Sequence, residues 1–243
     1  MYNGQDLNIF VVGKPFSGAN TVARIIYGNW RNFKYIDMNY LIDMIYNDFL
    51  MVNQHKGQMR RVIKSSIILK NAEFLYRSIG IPEYIASQKL LKLMEYVDNP
   101  SSTYRFKRAI WQVMSEFNPN WRTIFVKQRI IERPSNRYIF SHALTQEELN
   151  IIDNPVIVYV DTTDIANYQH SYNSSQIISQ DDIFDKEYRR FCTFCKKNAD
   201  FIIYNNDGIK ELELQLEDLR KVMEIDRNDE KPIKWYRKSN GLQ

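Results

Sequence analysis

Residues 8–27 read NIFVVGKPFSGANTVARIIY, a strand, a glycine loop and a helix in one stretch. Ile9, Phe10, Val11 and Val12 form the short apolar run of a strand buried on both faces. Gly13 and Gly18 bracket four residues, and Thr21 to Tyr27 has the spacing of an amphipathic helix. The frame is that of a phosphate-cradling loop, G-x-x-x-x-G-K-[ST]. Here the lysine position holds Ala19 and the hydroxyl position holds Asn20. The frame is present and its chemical head group is missing.

Such a loop works because successive backbone N–H groups converge on a phosphate at the positive end of a helix. The lysine neutralises the β/γ oxygens, and the hydroxyl holds Mg²⁺. The two glycines still permit that loop, although Pro15 withdraws one N–H. Thr21 offers a hydroxyl one place late, and Lys14, directly after Gly13, is placed to fold back over the loop. The plainer reading is a strand–turn–helix packing unit whose glycines allow close backbone approach. The frame favours the loop architecture, while the missing groups weigh against working ATP chemistry.

The 243 residues suffice for one α/β domain with a substantial core, or for two small ones. Hydrophobic residues at 44 % and charged residues at 26 % are ordinary for a soluble globular chain. The net charge of +4 is too small to imply nucleic acid by itself. No apolar run approaches the ~20 residues of a membrane span, and the start of the chain lacks a signal-peptide pattern. Two cysteines imply a reducing compartment without a disulfide framework. These signals imply a chain neither secreted by a signal peptide nor transmembrane.

Strand and helix signals alternate along the chain. Phe33 to Asp37 and Tyr138 to Phe140 read as strands, Pro155 to Val160 is the second strong buried strand, and Phe201 to Tyr204 is the last. Met38 to Val52 reads as a helix. In the next one Met59, Val62, Ile63, Ile67, Ala72, Leu75, Tyr76 and Ile79 recur at helical spacing before the Gly80-Ile81-Pro82 stop. Ile85 to Val97, Thr103 to Phe117, Trp121 to Glu132, Asp185 to Lys197 and Ile209 to Met223 continue the pattern. Thr145, with Glu148 three residues on, is a capping box. Residues 162–182 are polar and long, and residues 226–243 form a charged, extended tail carrying Trp235-Tyr236 as a candidate docking segment. The alternation predicts a parallel sheet covered on both faces. We expect a single α/β domain over 1–225 with a large helical insertion at about 53–133.

Taken together, these segments resemble the deoxynucleoside monophosphate kinases of bacteriophages, a branch of the P-loop kinases. Residues 13–23 are similar to that family's GKxxSGKDTVA loop, with Ala19 for Lys and Asn20 for Asp. Arg108 to Gln112 resembles its R-x-x-L-Q helix, and Glu116 stands where its G-T-E acid stands. Trp121 to Ile130 resembles its W-V helix. Ser141 to Leu144 occupies its S-D-V-R, so His142 replaces Asp and Leu144 replaces Arg. Residues 199–208 are close to its terminal A-D-x-x-I-x-N-x-G strand–turn–helix. The resemblance implies a P-loop kinase-like fold. It implies a nucleotide loop, vestigial or weak, at Gly13, Lys14, Ser17, Gly18 and Thr21, with Arg105 and Arg108 facing phosphate. The departures fall at chemistry and the matches at scaffold. Losing one electrostatic donor commonly costs about 3 kcal/mol of barrier, and several are lost together.

Other constellations are weaker. Cys192 and Cys195 share a helix face, where packing is the simplest role, since zinc needs two further ligands. Asp161 and Asp164 follow a strand end and suit either a loop cap or Mg²⁺. The arginines and lysines of the insertion suit nucleotide phosphates or an acidic partner, and its aromatics are mainly core. Two functional expectations follow. The first is a catalytically degenerate kinase-like protein with no catalytic residues, metal or cofactor. It would serve as a structural or interaction subunit, such as a virion, tail or connector component, touching other protein subunits or copies of itself. The second is a divergent active kinase using ATP and Mg²⁺, with Lys14 and Thr21 standing in. A sensor that binds nucleotide without turnover lies between them.

Overall fold

The computed structural model describes residues 7–14, 17–97, 103–162, 183–206 and 208–225. The polar excursion and the tail named above lie outside them. The chain divides into two compact units, Met1–Met38 with Arg133–Gln243, and Asn39–Glu132.

The first unit is an α/β layer structure. Its strands are β1 (Leu7–Gly13), β2 (Lys34–Asp37), β3 (Arg137–Ser141), β4 (Val156–Asp161) and β5 (Phe201–Tyr204). All neighbours run parallel, in the order β2-β3-β1-β4-β5. Every residue of β1 is buried, as expected for the central strand of a sheet covered on both faces. Alternate residues sort to opposite faces. Ile9, Val11, Ile139, Val158 and Val160 join a core with α1 (Ala19–Asn29) and the last helix, α9 (Ile209–Val222), through Val22, Ile26, Leu212 and Leu216. Phe10 and Phe140, stacked at 4.4 Å, belong to the other set of β1 and β3 side chains. There α8 (Ile183–Lys197) packs on β1 and β4 and buries Cys192 and Cys195. The short helix α7 (Gln146–Leu149) begins at the expected cap, with Glu148 N–H donating to Thr145 Oγ1 at 3.3 Å. The return bond falls one residue early, from Leu144 N–H to Glu148 Oε2 at 2.6 Å.

The second unit is helical: α2 (Tyr40–Asn53), α3 (Gly57–Ile79), α4 (Glu83–Val97), α5 (Thr103–Phe117) and α6 (Trp121–Glu132). Trp121 and Phe125 are buried as the sequence implies, and Tyr40 stacks on Phe125 at 6.3 Å. Arg122 is also buried, with Nη1 donating to Asn39 Oδ1 at 2.6 Å. Gly80 ends α3 in the left-handed region, φ 75°, its N–H on Tyr76 O at 2.9 Å. Met59, Val62 and Tyr76, part of the helical apolar pattern, are more than half exposed. Helix α3 carries two apolar faces, and the one that packs inward holds Ile67, Ile68, Ala72, Leu75 and Ile79.

Candidate functional site

The chain leaves β1 toward β2 on one side, and leaves β3 toward β4 on the other. Adjacent strands whose connections diverge open a crevice at their carboxyl ends, the usual ligand position of a parallel sheet. The glycine loop ends β1 at that crevice, and Ser141-His142 ends β3.

The loop is held from below. Ser17 N–H donates to Lys14 O at 3.0 Å, closing the turn. Gly13 is required by space, since a Cβ there would meet Val160 O at 2.6 Å and the Ser17 hydroxyl. Gly18 is required by conformation, φ 87°, and by the Asn205 amide packed against it. That amide donates to Ser17 O at 2.8 Å, which ties the β5 end to the loop. Gly18 then caps α1, whose first helical bond runs from Val22 N–H to Gly18 O at 2.9 Å. The N–H groups of Ala19, Asn20 and Thr21 have no acceptor within the helix, no side chain among the described residues caps them, and no acid sits in the first turn. Ser17 Oγ is buried and has no partner among the described residues.

Opposite that opening, α8 seals the loop. Tyr188 O–H donates to Gly13 O at 2.8 Å, and Cys192 Sγ lies 3.6 Å from the same oxygen. Burial pushes the Cys192 thiol up to about 11, against the pull of the Tyr188 hydrogen bond and the Lys14 charge. Burial and the neighbouring Cys192 push Cys195 to about 12. Raised in this way, both thiols hold their protons at neutral pH and pack within the core. Lys14 is exposed at the loop's outer end, close enough to α8 for its charge to act on Cys192.

The β2 and β3 ends carry a polar chain that the linear pattern did not reveal. Tyr35 O–H donates to Asn20 Oδ1 at 2.9 Å and lies 2.7 Å from Ser141 Oγ. His142 Nδ1 donates to Asp37 Oδ1 at 2.8 Å, with Ser141 Oγ 3.4 Å away. Burial first, then the Asp37 charge, raises the Tyr35 phenol to about 12. His142 sits at φ 62°, an uncommon conformation for a side-chain-bearing residue and one concentrated at functional sites. Serine and aspartate meet the same imidazole nitrogen, so the cluster is not a nucleophile triad, in which they flank opposite nitrogens. A carboxylate thus stands beside the position where the resembled family has its strand-end acid, but it comes from β2, 105 residues away in sequence. Its only linear signal was a strand ending in Asp37.

The remaining sequence candidates separate. Thr21 lies on the first turn of α1, half-buried. Asp161 is engaged by Lys196 Nζ at 2.6 Å, and its backbone carbonyl accepts Asn205 N–H at 2.9 Å where the β4–β5 pairing ends. Arg108 lies on α5 in the helical unit, and the side chain of Arg105 and all of Asp164 fall outside the described residues. Among the described residues no three His, Cys, Asp or Glu side chains gather as a metal site, and no helix is long and apolar enough to cross a membrane. Comparison with protein-family models gives no match for this chain, and no curated protein matches it.

Proposed function

We propose that this chain keeps a kinase-like scaffold without phosphoryl transfer and works as an interaction subunit, in a phage assembly on the strength of the resemblance. The observation that carries the reading is Ala19 at the first position of α1, where the charge-neutralising lysine belongs, with Lys14, directly after Gly13, exposed. Phosphoryl transfer depends on positioning plus cationic stabilisation of the transferring group, and an uncharged helix N-terminus supplies the lesser part. Leu144 in place of an arginine at the β3 end removes a second cation from the same crevice.

A divergent kinase is the alternative, favoured by one specific feature: the first N–H groups of α1 and the buried Ser17 hydroxyl lack side-chain partners among the described residues. The deciding experiment is calorimetric titration with ATP–Mg²⁺ and with deoxynucleoside monophosphates. We expect no saturable binding at millimolar ligand. Micromolar binding overturns the proposal, and a coupled transfer assay then separates an enzyme from a sensor.

A further inference from the structure

Helix α3 buries one apolar face and leaves another in solvent. Val62 is 59 %, Leu69 66 % and Tyr76 54 % exposed, in steps of seven residues, with Met59 one turn before them at 59 %. On α4, Tyr84 and Leu91 repeat the seven-residue step at 69 % and 47 % exposure. Single exposed apolar side chains need no explanation. A seven-residue repeat is different, because it drifts only ~20° around a helix per step and so lays a row along one face. Exposed Ser65, Ser66 and Glu73 fall between its members, so it supplies one of the two apolar rows on which a partner helix packs knob into hole.

The charge around the row says which helix. Residues 39–132 carry 14 Lys and Arg against eight Asp and Glu, so this unit is basic while the rest of the chain is slightly acidic. On α3 the exposed Arg61, Lys70 and Arg77 border the row. Arg77 holds Glu73 in a pair exposed on both sides, which exchanges at little cost, while Lys70, 62 % exposed, holds an Asp48 that is 14 % exposed. A second copy packing through the same face would bring the same excess of positive charge, and a nucleic acid would leave the apolar row unused.

We propose that the outer face of α3 is a docking site for an acidic amphipathic helix of a partner protein. Its apolar residues pack on Val62, Leu69 and Tyr76, and its carboxylates face Arg61, Lys70 and Arg77. The inference names the partner chemistry for the interaction role proposed above and rests on that role, but its test is separate, since nucleotide titration probes the loop and leaves α3 untouched.

The probe is a labelled synthetic peptide of about three heptads, with Leu at the core positions and Glu at the flanking ones, titrated against the full chain by fluorescence anisotropy. A Lys-flanked peptide is the control. We expect the Glu peptide to bind and the Lys peptide to bind at least about tenfold more weakly. Leu69→Ser combined with Val62→Ser weakens the Glu peptide by about tenfold or more, with an unchanged thermal melt because both side chains are already in solvent. High salt weakens it further. The proposal is overturned by absence of binding or by binding indifferent to the two substitutions. It is equally overturned if a chain dimer, a DNA oligonucleotide or phosphatidylserine vesicles occupy the face and are lost with the same substitutions.

Discussion

A buried hydroxyl without a partner costs about 1–3 kcal/mol, and Ser17 Oγ has none among the described residues. Ser17→Ala removes the orphan while keeping the backbone bonds to Lys14 and Asn205. We expect the ligand-free protein to gain about 1 kcal/mol in urea unfolding, whereas a loss would mean that the hydroxyl is satisfied in solution. Tyr35 is the opposite case, a phenol tied to Asn20 and Ser141. Tyr35→Phe strands both partners and is expected to cost about 1–3 kcal/mol near neutral pH. The phenol's pKa rises from 10.0 to about 12 on folding, so its proton is held more tightly in the native state. That contribution is complete below pH 10 and disappears as pH climbs through 12. Stability of the Phe variant should therefore fall less steeply than wild type over that window, read as unfolding midpoints against pH.

Among the elements, β5 is an edge strand of the described sheet and would present open backbone groups to another chain. Gln215 of α9 covers part of that edge. Its Nε2 donates to Tyr204 O at 2.8 Å while its Oε1 accepts Tyr204 N–H at 2.9 Å, so one carboxamide stands in for a neighbouring strand. Gln215→Ala uncovers both groups. The expected result is a stability loss of about 1 kcal/mol together with concentration-dependent association in light scattering, and unchanged monodispersity would refute the protective role. The capping box of α7 makes a related point. Its Thr145 half was legible from spacing alone, whereas the carboxylate half shifted to Leu144 N–H, because the path of the chain out of β3 decides which donor Glu148 meets.

For the whole molecule, several groups hold protons more tightly when folded. Tyr35, Cys192 and Cys195 are raised by burial, and Tyr159 and Tyr188 move the same way. Each shift favours the native state below the unfolded pKa and is lost above it, so they add on the alkaline side. With thiols starting at 9.0 and phenols at 10.0, stability should decline from about pH 9 onward. Denaturant midpoints from pH 8 to 11 check this, and a flat profile would contradict the burial described. The sequence by itself determined the parallel α/β class, the positions of all five strands, the glycine loop and the loss of its lysine. Those features are local: β-branched runs, glycine spacing and one residue type at one position. Only the tertiary structure decided that Asp37 meets His142, that Tyr188 reaches Gly13 across 175 residues, and which apolar face of α3 stays in water. Periodicity states how many faces of an element are apolar, but what covers each face depends on segments far away along the chain.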